Sequence, residues 1–92
     1  MEIELKVNEI KGIMNLIEQN LIMLNDEDFN NVIEEYRTKK EMFVNLVDGI
    51  RNNTINSIDA LLSLNTLTEI YNEFNANLCN NFNISATCLA AA

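Results

Sequence analysis

The spacing of apolar residues at the start of the chain constrains the fold more than any other feature of the sequence. Seven apolar residues recur at alternating steps of four and three: Ile3, Val7, Ile10, Met14, Ile17, Leu21 and Leu24. This is the heptad pattern of a helix that packs against other helices along one seam. The sequence therefore predicts a first helix over about residues 2–24, in which Gly12 is expected to let a neighbouring helix approach closely.

The same spacing returns after a short acidic break. Six apolar residues and one lysine form the second seam: Phe29, Ile33, Tyr36, Lys40, Phe43, Val47 and Ile50. They predict a second helix over about residues 27–47, which Asn25 or Asp26 is expected to cap and Gly49 to end. Because the link between the two seams is short, the two helices are expected to run antiparallel.

A polar link separates the second seam from a third apolar segment. Apolar side chains from Ile55 onward are spaced as in one long helix to about residue 81, with Asn53 or Thr54 as its cap. The alternative is a break near residues 63–65, because a Thr-x-x-Glu capping box follows there. We prefer one helix over two.

These segments predict an all-α fold, namely an antiparallel three-helix bundle, or four helices if the third segment breaks near residues 63–65. The chain has no proline and two glycines among 92 residues, too few turn residues for a β-sandwich or barrel. We expect residues 1–88 to form one domain. Residues 89–92, Leu-Ala-Ala-Ala, have the form of a vector-derived tail.

Charge and composition exclude several classes of function. Fourteen acids against six bases give a net charge of −8, which argues against a DNA- or RNA-binding surface. No stretch of about 20 apolar residues could cross a membrane, and the acidic start Met1-Glu2-Ile3-Glu4 does not fit a signal peptide. We therefore expect a cytoplasmic protein that does not insert into membranes.

The two cysteines, Cys79 and Cys88, indicate neither a metal site nor a catalytic site. The chain contains no histidine, so a zinc site lacks ligands and a cysteine nucleophile lacks its usual base. Free thiols in a reducing cytosol are expected, with a disulfide as the alternative if a turn separates the two residues. With 17 asparagines in the chain, the glycosylation sequons at 52–54 and 83–85 are interpreted as chance matches.

One short motif resembles the start of a calcium-binding loop. Asp26-x-Asp28-x-Asn30 has the right beginning, but Asn31 stands where the loop needs glycine and Arg37 where it needs a bidentate glutamate. A helix cap explains the acidic residues without calcium. We expect no metal.

The remaining carboxylates do not form a catalytic pair. Glu34, Glu35, Glu41 and Asp48 fall off the helical seam, where a solvated surface is expected rather than a cleft that shifts their pKa values. The sequence therefore predicts no catalytic residue, no cofactor and no enzymatic activity. What remains is apolar surface: the stripes are wide, and an exposed apolar groove on a small acidic domain commonly receives an amphipathic helix of another protein.

Residues 14–50 combine a helix that ends in leucines, a short acidic link with an aromatic residue and a second charged helix. The segments are Leu21–Leu24, Asn25–Phe29, Val32–Glu35 and Lys40–Phe43. This arrangement resembles the small flagellar and type III export chaperones, which are cytoplasmic acidic bundles that hold the terminal helix of a secreted subunit. The resemblance implies a client face on the third helix. No individual binding residue can be transferred, and our candidate partner-binding residues are Leu64, Leu67, Tyr71, Phe74 and Leu78.

The sequence thus predicts a non-catalytic protein-interaction module, such as an export chaperone or adaptor, whose partner contributes an amphipathic helix. One alternative is a structural subunit whose seams pair in a homodimer. Another is a small immunity or inhibitor protein, or a viral protein that binds a host protein.

Overall fold

A computed structural model describes residues 2–82, and these form three α-helices joined by short links. The helices are α1, Glu2–Ile22; α2, Asp26–Arg51; and α3, Ser57–Phe82. No strand occurs in this part of the chain, so the predicted all-α three-helix bundle is confirmed. The short links make consecutive helices antiparallel, which leaves α1 and α3 parallel. The predicted domain end at residue 88 and the tail at 89–92 lie outside the described residues.

The first link turns the chain as predicted. Asn25 caps α2, because its side-chain oxygen accepts a hydrogen bond of 2.8 Å from the backbone N–H of Asp28. The acids in the first turn of α2, including Asp26 and Asp28, lie at the positive end of the helix dipole. Their backbone is helical, so the calcium-loop resemblance has no counterpart in the structure.

The end of α2 differs from the prediction. Gly49 does not stop the helix, which continues to Arg51, and neither glycine has a positive φ. Asn53, at φ 57°, takes the left-handed position that usually falls to glycine, and the N–H groups of Asn53 and Thr54 donate to the carbonyls of Ile50 and Gly49. This is a Schellman motif, in which asparagine is the accepted substitute for glycine.

Neither glycine has the role expected of it. A Cβ on Gly49 would lie 2.5 Å from Cδ1 of Ile55, so this glycine leaves room for the link to fold back on α2. A Cβ on Gly12 would meet nothing within 4 Å, because Gly12 is exposed. The expectation of a close helix approach at Gly12 is therefore wrong, and the close approach occurs at Gly49.

α3 is one continuous helix, as preferred, but its cap is neither Asn53 nor Thr54. Asn56 caps it: its side-chain oxygen accepts from the backbone N–H of Asp59 at 2.9 Å, and its amide donates to the Asp59 carboxylate at 3.0 Å. Just after residues 63–65, where the alternative placed a break, the Thr66 hydroxyl donates to the carbonyl of Leu62 one turn earlier, as happens inside helices.

The core lies mainly between α1 and α3. α1 contributes the middle of its predicted seam, and α3 contributes one apolar face, whereas α2 adds Tyr36, Phe43 and Leu46. Near the ends of α1 and α3, the amide nitrogen of buried Asn20 donates to the side-chain oxygen of buried Asn75 at 2.9 Å. Such a buried polar pair favours one register of two helices over its neighbours.

Candidate helix-binding groove

An open groove runs between α2 and α3, and we call it the α2–α3 groove. It consists of two hollows, of about 380 and about 510 Å³, that share Met42 and Ile70. Along α3 it extends from Leu62 to Phe82, which is about 30 Å at 1.5 Å per helical residue. This length matches about five turns of an α-helix.

The hollow of about 510 Å³ contains no charged side chain, and we call it the uncharged half. Its lining is Met42, Asn45, Leu46, Leu62, Ser63, Thr66, Leu67 and Ile70. Leu62 is 61% exposed and Met42 is 46% exposed, so both present apolar surface to solvent. Water contact with this surface is unfavourable by about 25 cal/mol per Å², which favours its burial by a partner.

The hollow of about 380 Å³ is the charged half. It is lined by Val32, Glu35, Thr38, Lys39, Met42, Ile70, Glu73, Phe74, Asn77, Leu78, Asn81 and Phe82. The Lys39 ammonium lies 5.4 Å from the centre of the Phe74 ring and 3.7 Å from the Glu35 carboxylate. Lys39 therefore lies across the groove, over an aromatic face, and already has an anionic partner.

Two buried tyrosines hold α2 in place behind the groove. The Tyr71 hydroxyl donates to the backbone carbonyl of Lys39, and burial raises the pKa of Tyr71 from 10.0 to about 12. The Tyr36 hydroxyl donates to the Glu18 carboxylate of α1. Burial, and then that hydrogen bond and the negative charge of Glu18, hold the Tyr36 pKa far above its usual range. Both phenols therefore stay protonated at neutral pH.

The structure divides the five candidate partner-binding residues into two groups. All five are buried in the core. Leu67, Phe74 and Leu78 also line the α2–α3 groove, so a partner could touch their edges, and their role stays a prediction. Leu64 and Tyr71 are fully buried and line neither half of the groove, so a partner would have to displace core side chains to reach them.

Sequence reasoning missed the residues that form the accessible wall of the groove. Met42, Leu62 and Ile70 lie beside the heptad seams, whereas all five predicted partner-binding residues lie on a seam. The available signal was the width of the apolar stripe on each helix. An apolar residue one position off the seam borders the core, and it is exposed if no third helix covers it.

The carboxylates considered for catalysis do not converge. Glu34, Glu35, Glu41 and Asp48 are all exposed, and Glu34 and Glu35 pair with Arg37 and Lys39 on their own helix. Exposed pairs of this kind contribute little to stability and do not make a cleft.

Cys79 differs from the expectation. It is half-buried at the end of α3 and is disulfide-bonded, so the expected free thiol at this position is wrong. Its sulfur lies 3.9 Å from the amide nitrogen of Asn20. A disulfide sulfur is not a nucleophile, which removes Cys79 from the candidates for covalent chemistry. Cys88 lies outside the described residues.

No helix in the part of the chain described has the length and apolar character that a bilayer span requires. Comparison of the chain with protein-family models, with curated proteins and with solved structures gives no significant match. The α2–α3 groove is therefore a candidate binding site on the basis of its geometry and chemistry alone.

Proposed function

We propose that the chain is a non-catalytic protein-interaction module that binds an amphipathic helix of a partner protein in the α2–α3 groove. The groove itself is the observation that carries the proposal: it is apolar at its base, about 30 Å long and open between two helices. A helix placed there would pack against both walls and complete a four-helix arrangement. Helix-in-groove recognition uses this geometry.

The exposed Met42 and Leu62 and the half-buried Ile70 support the proposal because they are grouped. Single exposed leucines or methionines are ordinary on a protein surface, but Met42, Leu62 and Ile70 line one continuous hollow. A helix with apolar residues at steps of three and four would cover them. The net charge of −8 favours a partner helix that is basic or neutral outside its apolar stripe.

Within this class we propose a secretion or export chaperone, or an adaptor. A chaperone of this kind covers an aggregation-prone helix of its client until the client is delivered, and a long open groove suits that task. The resemblance of residues 14–50 to the export chaperones supports this choice over other binding modules.

A matched pair of variants tests the groove. Leu62→Asp places a charge in the uncharged half, whereas Leu5→Asp places the same charge on a leucine of α1 that is 69% exposed and lies outside the groove. Both side chains already contact solvent, so we expect both variants to keep the circular dichroism spectrum of the native bundle. Helical peptides selected from a display library on the native protein should bind Leu5→Asp normally.

The same peptides should bind Leu62→Asp at least about tenfold more weakly, since a buried unpaired carboxylate costs well over 1.4 kcal/mol. Equal binding to the two variants would place the binding surface elsewhere. A library that yields no helical binder would contradict the proposal.

The main alternative is a homodimer in which a second copy fills the groove. Ile58 and Leu62, one turn apart on α3, are 74% and 61% exposed, and they are the observation that favours it. Light scattering across a hundredfold dilution separates the two proposals. A monomer of about 10 kDa leaves the groove to another protein, whereas a dimer that Leu62→Asp dissociates assigns the groove to a second copy.

The cytoplasmic location stays a prediction, and the disulfide at Cys79 weighs against it. Disulfides persist in oxidising compartments and are rare where thiol buffers are active. Intact-mass measurement after rapid alkylation of the source cells would decide between a reducing and an oxidising compartment. An alkylated Cys79 would support a reducing compartment, and an unmodified Cys79 an oxidising one.

A further inference from the structure

The two halves of the α2–α3 groove differ in charge, and this difference constrains the partner. The uncharged half offers leucine, methionine and isoleucine with small polar neighbours and no ionised group. The charged half contains Glu35, Lys39 and Glu73. A helix that fills both halves therefore meets an apolar environment along one part of its length and ionised side chains along the other.

Of the two acids in the charged half, one is already neutralised. Glu35 lies 3.7 Å from the Lys39 ammonium, on the same helix. Glu73 forms no ion pair with any residue of the described part of the chain. α3 contains no lysine or arginine over Ser57–Phe82, so no cation of its own helix can reach Glu73. Glu73 thus remains the carboxylate of the groove that lacks a counter-ion.

The charges around Glu73 favour a cation beside its carboxylate. Glu69 lies one turn earlier on the same face of α3, and like charges at this spacing repel each other. Glu73 is exposed in the free protein, and a docked helix would displace part of its water, so an unpaired carboxylate would lose part of its favourable solvation.

We propose that the partner helix of the α2–α3 groove is polarised along its length. It carries a lysine or arginine where it faces Glu73, and apolar, uncharged residues where it fills the half lined by Leu62. The inference rests on the proposed function and goes beyond it, because it assigns Glu73 as a specificity-determining residue and fixes which half of the partner helix fills the charged half of the groove.

The test is a selection followed by matched charge removals. A phage library of 18-residue helical peptides, with apolar residues fixed at steps of three and four and all flanking positions randomised, is selected on the native protein. Peptides that also bind Leu62→Asp are removed. Glu73 lies near the middle of the stretch of α3 that lines the groove, between Leu62 and Phe82. We therefore expect lysine and arginine to be enriched at flanking positions from the middle of the peptides to the end that fills the charged half, and depleted in the half that faces Leu62.

Glu73→Gln removes the carboxylate of the groove, and Glu4→Gln removes an exposed carboxylate of α1 that lies outside it. Glu73→Gln should weaken the selected peptides by about two- to fivefold, the range for a partly exposed ion pair, and Glu4→Gln should not. Changing the enriched peptide cation to glutamine should remove the effect of Glu73→Gln, because a coupled pair is then lost in either variant.

Two results would overturn the polarised partner while leaving the groove as a binding site. The first is a set of groove-dependent peptides whose cations are absent or evenly spread along the helix. The second is an equal loss with Glu73→Gln and Glu4→Gln, which would reduce the effect to net charge. Failure to select any peptide that discriminates against Leu62→Asp would instead overturn the helix-binding groove, and this inference with it.

Discussion

α2 and α3 are both 26 residues long, yet over the described residues α3 buries eight of them and α2 buries three. Their charged residues explain the difference. α2 contains seven acids and four bases, whereas α3 contains three acids and no base. Because ionised groups are costly to bury without partners, α2 can place only a narrow stripe in the core. The helix with many charges therefore covers its neighbours incompletely.

The interface between α1 and α3, in contrast, is closed. Ile10 and Ile17 on α1, and Leu64 and Tyr71 on α3, are all fully buried. Where α2 meets α3, Met42 and Leu62 remain exposed on either side of the groove. Two helices of equal length thus contribute differently: α3 supplies most of its apolar residues to the core, and α2 forms one wall of the open α2–α3 groove.

The largest expected effect separates the closed interface from the open one. Ile17→Ala should lower the free energy of unfolding by about 2–5 kcal/mol, because it leaves a cavity in the core. Leu62→Ala should change it by less than about 0.5 kcal/mol, since Leu62 is already mostly in water. Urea unfolding followed by circular dichroism measures both. A loss below about 1 kcal/mol for Ile17→Ala would mean that the α1 seam is open, and the comparison would fail.

The next effect concerns the polar pair within the closed interface. Asn75→Leu leaves the buried amide of Asn20 without the oxygen that accepts its 2.9 Å hydrogen bond, at an expected cost of about 1–3 kcal/mol. The double variant Asn20→Leu/Asn75→Leu should recover most of this loss, because two apolar groups replace both partners. Thermal unfolding of the four proteins in a double-mutant cycle gives the coupling energy, and strict additivity would count against a specific pair.

A smaller effect follows from the tyrosine that joins α3 to α2. The pKa of Tyr71 is raised to about 12 in the folded protein, against about 10 in the unfolded chain. Below about pH 10 the phenol is protonated in both states, so its contribution is fully present. Between pH 10 and 12 the unfolded state loses its proton first, and stability falls as pH rises. Tyr71→Phe should flatten this alkaline loss in urea titrations compared with the native protein. An unchanged slope would exclude Tyr71 as its source.

The smallest effect concerns the glycines. Gly12→Ala should stabilise the protein by about 0.5–1 kcal/mol, because alanine is the better helix former and its methyl group meets nothing. Gly49→Ala should not raise the free energy of unfolding, since the new methyl group would lie 2.5 Å from the Ile55 side chain. Melting temperatures of the two variants check that the close approach lies at Gly49 and not at Gly12, and equal gains would contradict it.

Much of the fold could be predicted because helical periodicity is a local property. The four-and-three spacing predicted α1 to within two residues of its observed end, and it predicted α3 as one helix. The cap of α2 was predicted to be Asn25 or Asp26, and the structure shows that it is Asn25. The cap of α3 was predicted wrongly, since Asn53, Thr54 and Asn56 are all residue types that cap helices. Asn53 and Thr54 form the Schellman turn at the end of α2, which leaves Asn56 as the cap.

The candidate site could be predicted only in part. The sequence determined the helices, their order, their apolar stripes and the acidic surface, because each of these depends on neighbouring residues along the chain. The tertiary structure alone decided which apolar residues are covered: Leu64 and Tyr71 lie under other helices, whereas Met42 and Leu62 border the groove. It also placed the close approach at Gly49 instead of Gly12. The physical reason is that burial depends on where three helices end and cross, and the spacing of residues within one helix does not contain that information.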